Sequence, residues 1–273
     1  VLKDITLGQY FPGNSPLHRL DPRIKLILTV FYIVVVFIAR GAPGFLVITV
    51  FTLVLIIISG IPLSVIMRGM KPLIFIIAFT AIINVFWTTG DNLLVKFWVF
   101  EIYYEGVLYA VLMVMRVVML LVGTSVLLTY TTSPIALTDG IERLLGPLKK
   151  IHLPVHEFAM MMTIALRFIP TLIEETDKIM NAQKARGVDF TSGGLMQRAK
   201  ALIPILIPLF VSAFRRADEL AVAMECRCYR GGEGRTRMTI LHLAPGDFVA
   251  TGIFAVFCAA VVAVNIYVPW LSI

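Results

Sequence analysis

Apolar residues fall in long blocks along this chain, not in the short alternations of a soluble sheet or the single stripe of a surface helix. Four blocks come first, at about residues 24–39, 45–59, 72–88 and 106–129, and a fifth spans 248–268. Each is close to the roughly 20 residues that a helix needs to cross a bilayer. The first two are short and must borrow from their flanks. Arg40-Gly41-Ala42-Pro43-Gly44 reads as the turn between them.

Between the fourth and fifth blocks the pattern changes. Residues 131–246 hold 15 of the 24 Lys and Arg and 11 of the 17 acids, and apolar positions return at helical spacing. Ser133-Pro134 offers an N-cap with proline at the first helical position, and Gly146-Pro147 stops that helix. A second helix is predicted from Pro154 to Arg186, with Val155, Phe158, Met162, Ala165, Ile169, Ile173 and Met180 near one face and Gly187 suited to the left-handed cap. A third runs from about Leu195 to Tyr229, with Leu202, Leu206, Leu209, Ala213, Ala217, Leu220 and Met224 near one face, and Gly231-Gly232 ends it. Pro170, Pro204 and Pro208 lie inside these helices and are expected to kink them. The apolar stretch 201–214 is only 14 residues long between Lys200 and Arg215, so it is expected at the inner interface and not across the bilayer.

The expected fold is therefore an all-α polytopic membrane protein with five transmembrane helices and long amphipathic cytoplasmic helices. It divides into 1–130 (a cytosolic lead-in and transmembrane helices 1–4), 131–246 (the cytoplasmic helical region) and 247–273 (transmembrane helix 5). Composition agrees: 59% hydrophobic and 15% charged residues, with mean hydropathy +0.90, give more apolar surface than a soluble chain of 273 residues could hide. The net charge of +7 needs no nucleic acid, because the basic residues gather beside the apolar blocks. With the N-terminus inside, inner segments carry 21 Lys and Arg against two, Arg40 and Lys96, outside. That bias places the N-terminus inside and the C-terminus outside. Residues 1–20 lack the apolar stretch of a cleavable signal and read as the lead-in. Three cysteines, two of them one residue apart on the inner side, make no extracellular disulfide framework.

Candidate chemistry is sparse. His156-Glu157-Phe158-Ala159-Met160 lacks the second histidine of a zinc-protease HExxH motif. Cys226, Cys228 and His242 form an incomplete ligand set, and small residues that allow close helix packing account better for the cysteines. Gly231-Gly232-Glu233-Gly234 lacks the Gly-Lys-Ser/Thr ending of a phosphate loop, so no ATP hydrolysis is expected here. No metal site and no bound cofactor are expected. Met160-Met161-Met162 reads as adaptable packing. Arg116, inside the fourth block, must snorkel or pair, and Asn84 in the third block is the expected polar partner.

Two arginines stand apart. Ala185-Arg186-Gly187 and Cys226-Arg227-Cys228 lie 41 residues apart, each at the end of a long amphipathic helix. At the same offset Asp177 matches Asp218, Ile179 matches Leu220 and Ala182 matches Ala223. A cation in the last turn is favoured by the helix dipole, and small neighbours leave the guanidinium free to project. Spacing alone leaves two readings open, ordinary C-terminal arginines or a pair of docking points.

Leu17-His18-Arg19-Leu20-Asp21-Pro22-Arg23-Ile24-Lys25-Leu26, Thr131-Thr132-Ser133-Pro134, Ala185-Arg186-Gly187 and Met224-Glu225-Cys226-Arg227-Cys228-Tyr229-Arg230-Gly231-Gly232, in that order, resemble the transmembrane T component of energy-coupling factor transporters. The resemblance covers essentially the whole chain. It implies a non-catalytic scaffold in a prokaryotic cytoplasmic membrane, joining two ABC-type ATPases, which carry the ATP and Mg²⁺, to a membrane-embedded S component that captures a vitamin or metal ion. It also implies that Arg186 and Arg227, with Ala185, Gly187, Cys226 and Cys228 beside them, are the ATPase-docking motifs. The second motif departs from the Ala-Arg-Gly pattern at both cysteines. The alternative is a stand-alone secondary transporter or channel, which would need ionisable residues or broken helices at mid-membrane; apart from Arg116 the five blocks offer none.

Overall fold

The structure is a computed structural model and describes residues 10–88, 92–97, 100–151, 154–188, 190, 194–231 and 241–267. The readings placed on Lys3, on Gly232, Glu233 and Gly234, and on Val268 lie outside the described residues. The chain divides into two compact units, one of Gly8–Gly140 with Leu241–Ile273 and the other of Val1–Leu7 with Ile141–Ile240, and the seam falls inside a helix, α6 (Pro134–Leu144).

The first unit is a helical bundle built around α1 (Pro22–Ile38). Asp21 caps α1 by accepting the Arg23 N–H, and Pro22 holds its first position, where a missing N–H costs nothing. The chain turns at Ala39 and Arg40, and α2 already begins at Gly41 (Gly41–Ser59), so Gly41 to Gly44 form the first helical turn and not a loop. Pro43 is tolerated there because first-turn N–H groups have no intrahelical acceptor. After Gly60, in the left-handed conformation at φ 66°, come α3 (Leu63–Met70), a tight turn at Lys71–Leu73 and α4 (Ile74–Trp87). The third apolar helix thus starts well before Pro72. A short antiparallel hairpin, β1 (Leu93–Phe97) with β2 (Phe100–Tyr103), leads into α5 (Tyr104–Thr124). The helical pattern did not anticipate this hairpin, the one departure from all-α structure among the described residues. A π-helical turn, Ser125–Thr129, extends α5. The last helix, α9 (Pro245–Tyr267), returns through the bundle.

α1 packs on α5 and α9, and α2 packs on α5 and α9. Their core holds Tyr32, Val36, Ile48, Val126 and Val261, all fully buried, with Phe51 and Phe257 stacked at 3.8 Å between centroids. The Tyr32 hydroxyl pairs with Thr52 Oγ1 at 2.9 Å and donates to the Met119 carbonyl at 3.0 Å, which satisfies a polar atom that could not otherwise be buried. α4 packs chiefly on α5 and has no buried residue.

The second unit holds α7 (Val155–Ala185) and α8 (Leu195–Cys226), packed together. Both run unbroken through their prolines. α8 ends three residues before the predicted Tyr229. Much of the apolar faces expected from the spacing is not covered by the described residues: Phe158, Met162, Leu202 and Leu206 are exposed, while Val155 on α7 and, outside the predicted face of α8, Ile205 are buried.

By length and composition five helices are able to cross a membrane: Gly41–Ser59, Leu63–Trp87, Tyr104–Thr129, Val155–Ala185 and Pro245–Tyr267. The number agrees with the sequence pattern; the membership does not. α1, at 17 residues, rises only about 25 Å and falls short of the roughly 30 Å hydrocarbon layer. One face of it, Leu28, Tyr32, Val35 and Val36, is buried in the bundle, while Val30, Phe31, Val34 and Phe37 on the other are exposed. α7 qualifies because Glu157 and Arg167 are the only acids or bases, histidine aside, from Val155 to Ile173. The chain is a polytopic helical membrane protein.

Candidate functional site

The two arginine motifs adopt one local structure. Arg186 is the C-cap of α7; beyond it Gly187 takes φ 89°, its N–H donates to the Lys184 carbonyl at 2.9 Å, and the Val188 N–H donates to the Gln183 carbonyl at 3.1 Å. Arg227 is the C-cap of α8; Cys228 takes φ 56°, its N–H donates to Glu225 at 2.8 Å, and the Tyr229 N–H donates to Met224 at 3.0 Å. Both are Schellman endings, in which two crossed hydrogen bonds satisfy carbonyls that the helix leaves open. Their residues correspond one for one at the 41-residue offset. Ala185, Arg186, Gly187, Cys226, Arg227 and Cys228 are all exposed, and neither guanidinium has a hydrogen-bond or ion-pair partner among the described residues. Cys228 is the one described non-glycine residue with positive φ, standing where Gly187 stands in the first motif.

The helices that carry these ends are joined by polar groups the sequence pattern did not single out. The Glu175 carboxylate accepts from Arg216 Nη2 at 2.8 Å and from the Ser212 hydroxyl. Ser212 and Arg216, one turn apart on α8, grip it from one face. Glu175 lies in the charged half of α7 beyond Ile173. Two turns further along α7, Gln183 Nε2 donates to the Pro204 carbonyl at 3.5 Å. That carbonyl is the one that Pro208, four residues on and lacking an N–H, leaves without a helical donor. Glu175 and Arg216 are themselves 41 residues apart, but they differ in type, so the repeated spacing did not mark them.

In the bundle unit, two of the motifs quoted above come together. Lys25, 2% exposed, has three N–H donors and an acceptor for each: the Thr131 carbonyl at 2.8 Å, Thr132 Oγ1 at 3.2 Å and the His18 carbonyl at 3.4 Å. Asp21 binds Arg23 at 2.7 Å, and the Arg23 guanidinium also reaches the Leu241 carbonyl at 3.5 Å. Asp247, buried and unforeseen, accepts the backbone N–H of Asp21 and of Ala244, each at 2.8 Å. These groups tie the first turn of α1 to the start of α9 and to the segment after α5.

Arg116 does not use Asn84. Its Nη2 donates to the Ala39 carbonyl at 3.0 Å, and its guanidinium lies 5.2 Å from the centre of the Phe45 ring. Ala39 ends α1, and the negative end of a helix with an open carbonyl is a better partner for a cation than a neutral amide. Asn84 Nδ2 donates to Thr80 in its own helix. His156 Nδ1 lies 2.9 Å from Glu142 Oε1. Among the described residues no group of three or more His, Cys, Asp or Glu could hold a metal ion.

The profile of the CbiQ family, described as cobalt transport protein, matches residues 13–240. The chain belongs to this family. Among curated relatives it is 56% identical to the energy-coupling factor transporter transmembrane protein EcfT of Clostridium kluyveri over 92% of this chain and 93% of that one. It is 54% identical to EcfT of Ruminiclostridium cellulolyticum over 96% and 97%, and 49% identical to EcfT of Bacillus subtilis over 87% and 89%. Membership accounts for the helical membrane bundle and places the chain among transport proteins. All four quoted motifs lie within the matched residues.

Proposed function

We propose that this CbiQ-family chain is the coupling scaffold of an ATP-driven energy-coupling factor importer, linking two ABC-type ATPases at its inner face to a membrane-embedded S component that binds a vitamin or other micronutrient. The observation that carries the reading is the pair of matched Schellman endings, each presenting an exposed C-cap arginine with no partner among the described residues. A guanidinium entering an acidic groove makes paired, charge-assisted hydrogen bonds that a lysine cannot reproduce. Two such ends suit a pair of like subunits. ATP and Mg²⁺ belong to those subunits, and this chain performs no catalysis. The basic inner segments set the orientation, N-terminus inside and C-terminus outside. α4 (Ile74–Trp87), none of whose residues is buried within the chain, offers surface to a membrane partner as well as to lipid.

The test is affinity purification from native membranes in mild detergent, wild type beside Arg186→Glu, Arg227→Glu. Losing a partner of a buried charge pair costs about 2 to 5 kcal/mol per site, so two reversals should abolish association. Wild type is expected to bring two ABC-type ATPases and ATPase activity, and the double variant neither, although both insert equally. Equal recovery with both forms would overturn the docking role.

A further inference from the structure

We infer that Glu175, Ser212 and Arg216 form the joint that fixes the two arginine-bearing helix ends relative to each other, so that a movement imposed on one is felt at the other. The inference rests on the scaffold reading above and names positioning residues within it.

Position comes first. Arg186 follows Glu175 by 11 residues, and Arg227 follows Arg216 by 11. Eleven residues are about three turns and about 16 Å of helix, which returns to within roughly 20° of the starting face. The ion pair therefore divides α7 and α8 so that each carries an arm of equal length and matching azimuth to its terminal arginine. Direction follows from the second contact: Glu175 meets Ser212, whereas Gln183, eight residues later, meets Pro204, eight residues earlier. The helices thus run antiparallel past each other, and the two arginines project from opposite ends of the pair.

Packing supplies the second argument. Among the described buried apolar residues, α7 contributes only Val155 and Ala159, at its start, and α8 only Ile205. Among the described residues the apolar neighbours of the ion pair, such as Leu172, Ile173 and Leu209, are only half-buried, so directional polar contacts share in setting the mutual angle and register of the helices. One carboxylate held on one oxygen by a hydroxyl and on the other by a guanidinium resists both sliding and rotation, because either motion breaks a charge-assisted bond. With side chains 22% and 34% exposed, Glu175 and Arg216 are shielded enough to count and wet enough to re-form after a small swing.

The test reads the distance between the helix ends. Spin labels at Lys184→Cys and Glu225→Cys, in a Cys226→Ala, Cys228→Gly, Cys258→Ser background that gives the second motif the Ala-Arg-Gly residues of the first, are measured by pulsed dipolar spectroscopy. Samples are the full chain in detergent, and the chain with copurified ATPases with and without a non-hydrolysable ATP analogue. With Glu175 and Arg216 intact the expected distribution is narrow and shifts as one peak with nucleotide. Glu175→Ala is expected to broaden it and lose the shift while the ATPases stay bound, and the swap Glu175→Arg, Arg216→Glu to recover both. An unchanged width and shift in Glu175→Ala, or a swap no better than the single variant, overturns the joint. Failure of the ATPases to bind the unaltered chain overturns the scaffold reading instead, and the joint is then still read from the width in the chain alone.

Discussion

At the scale of single residues, backbone conformation explains more than side-chain chemistry. Gly187 and Cys228 occupy equivalent left-handed positions, but only glycine does so without its Cβ crowding a carbonyl. The left-handed region costs an L-residue about 1 to 2 kcal/mol, part of which glycine gives back through its greater freedom when unfolded. Cys228→Gly is therefore expected to raise the apparent melting temperature in detergent, by a net stabilisation of up to about 1 kcal/mol. A lower melting temperature would mean that the thiol makes a compensating contact. The sequence disclosed that Gly187 suits a left-handed cap, and it showed the departure at Cys228. It could not disclose that the departure falls at the strained position, since that depends on which residue ends α8. Arg116 makes the same point: its need for a partner was legible, but the Ala39 carbonyl became available only once α1 ended beside it.

At the scale of elements, helices were read well where one periodicity ran between strong stop signals, and less well where packing decided. α7 and α8 begin within a residue of their predicted starts, because Pro154 and the cap at Gly194 act locally. The turn before α2 proved shorter than its glycine and proline content suggests, since first-turn positions tolerate both. The contact of α1 with α5 is tighter than any pattern could indicate: a Cβ on Gly123 would collide with the Tyr32 ring. Tyr32 cannot retreat while its hydroxyl is held by Thr52 and Met119. Gly123→Ala should accordingly destabilise the bundle by about 1 to 3 kcal/mol, seen as a fall in apparent melting temperature, with partial recovery in Gly123→Ala, Tyr32→Leu. A neutral Gly123→Ala would mean that the two helices separate at little cost.

For the molecule as a whole, the buried Lys25 clasp joins parts far apart in sequence: the lead-in at His18, the first turn of α1, and Thr131 and Thr132 after α5. Replacing Lys25 by Met keeps the volume and removes all three donors. The stranded acceptors are expected to cost about 1 to 3 kcal/mol and to make the lead-in more susceptible to limited proteolysis in detergent. Unchanged cleavage would show that the lead-in is held by its other contacts, such as the Phe11 N–H to the Tyr130 carbonyl. The sequence by itself determined that the chain is a helical membrane protein and where most helices start and stop, because hydropathy, capping and proline chemistry act over a few residues. It also marked the two arginine ends through their common spacing. The tertiary structure alone decided which polar groups meet: Glu175 with Ser212 and Arg216, Lys25 with Thr131, Asp247 with Asp21, and Arg116 with Ala39. Each joins groups far apart in sequence through the packing of helices and the segments that flank them, and no local pattern encodes which donor will find which acceptor.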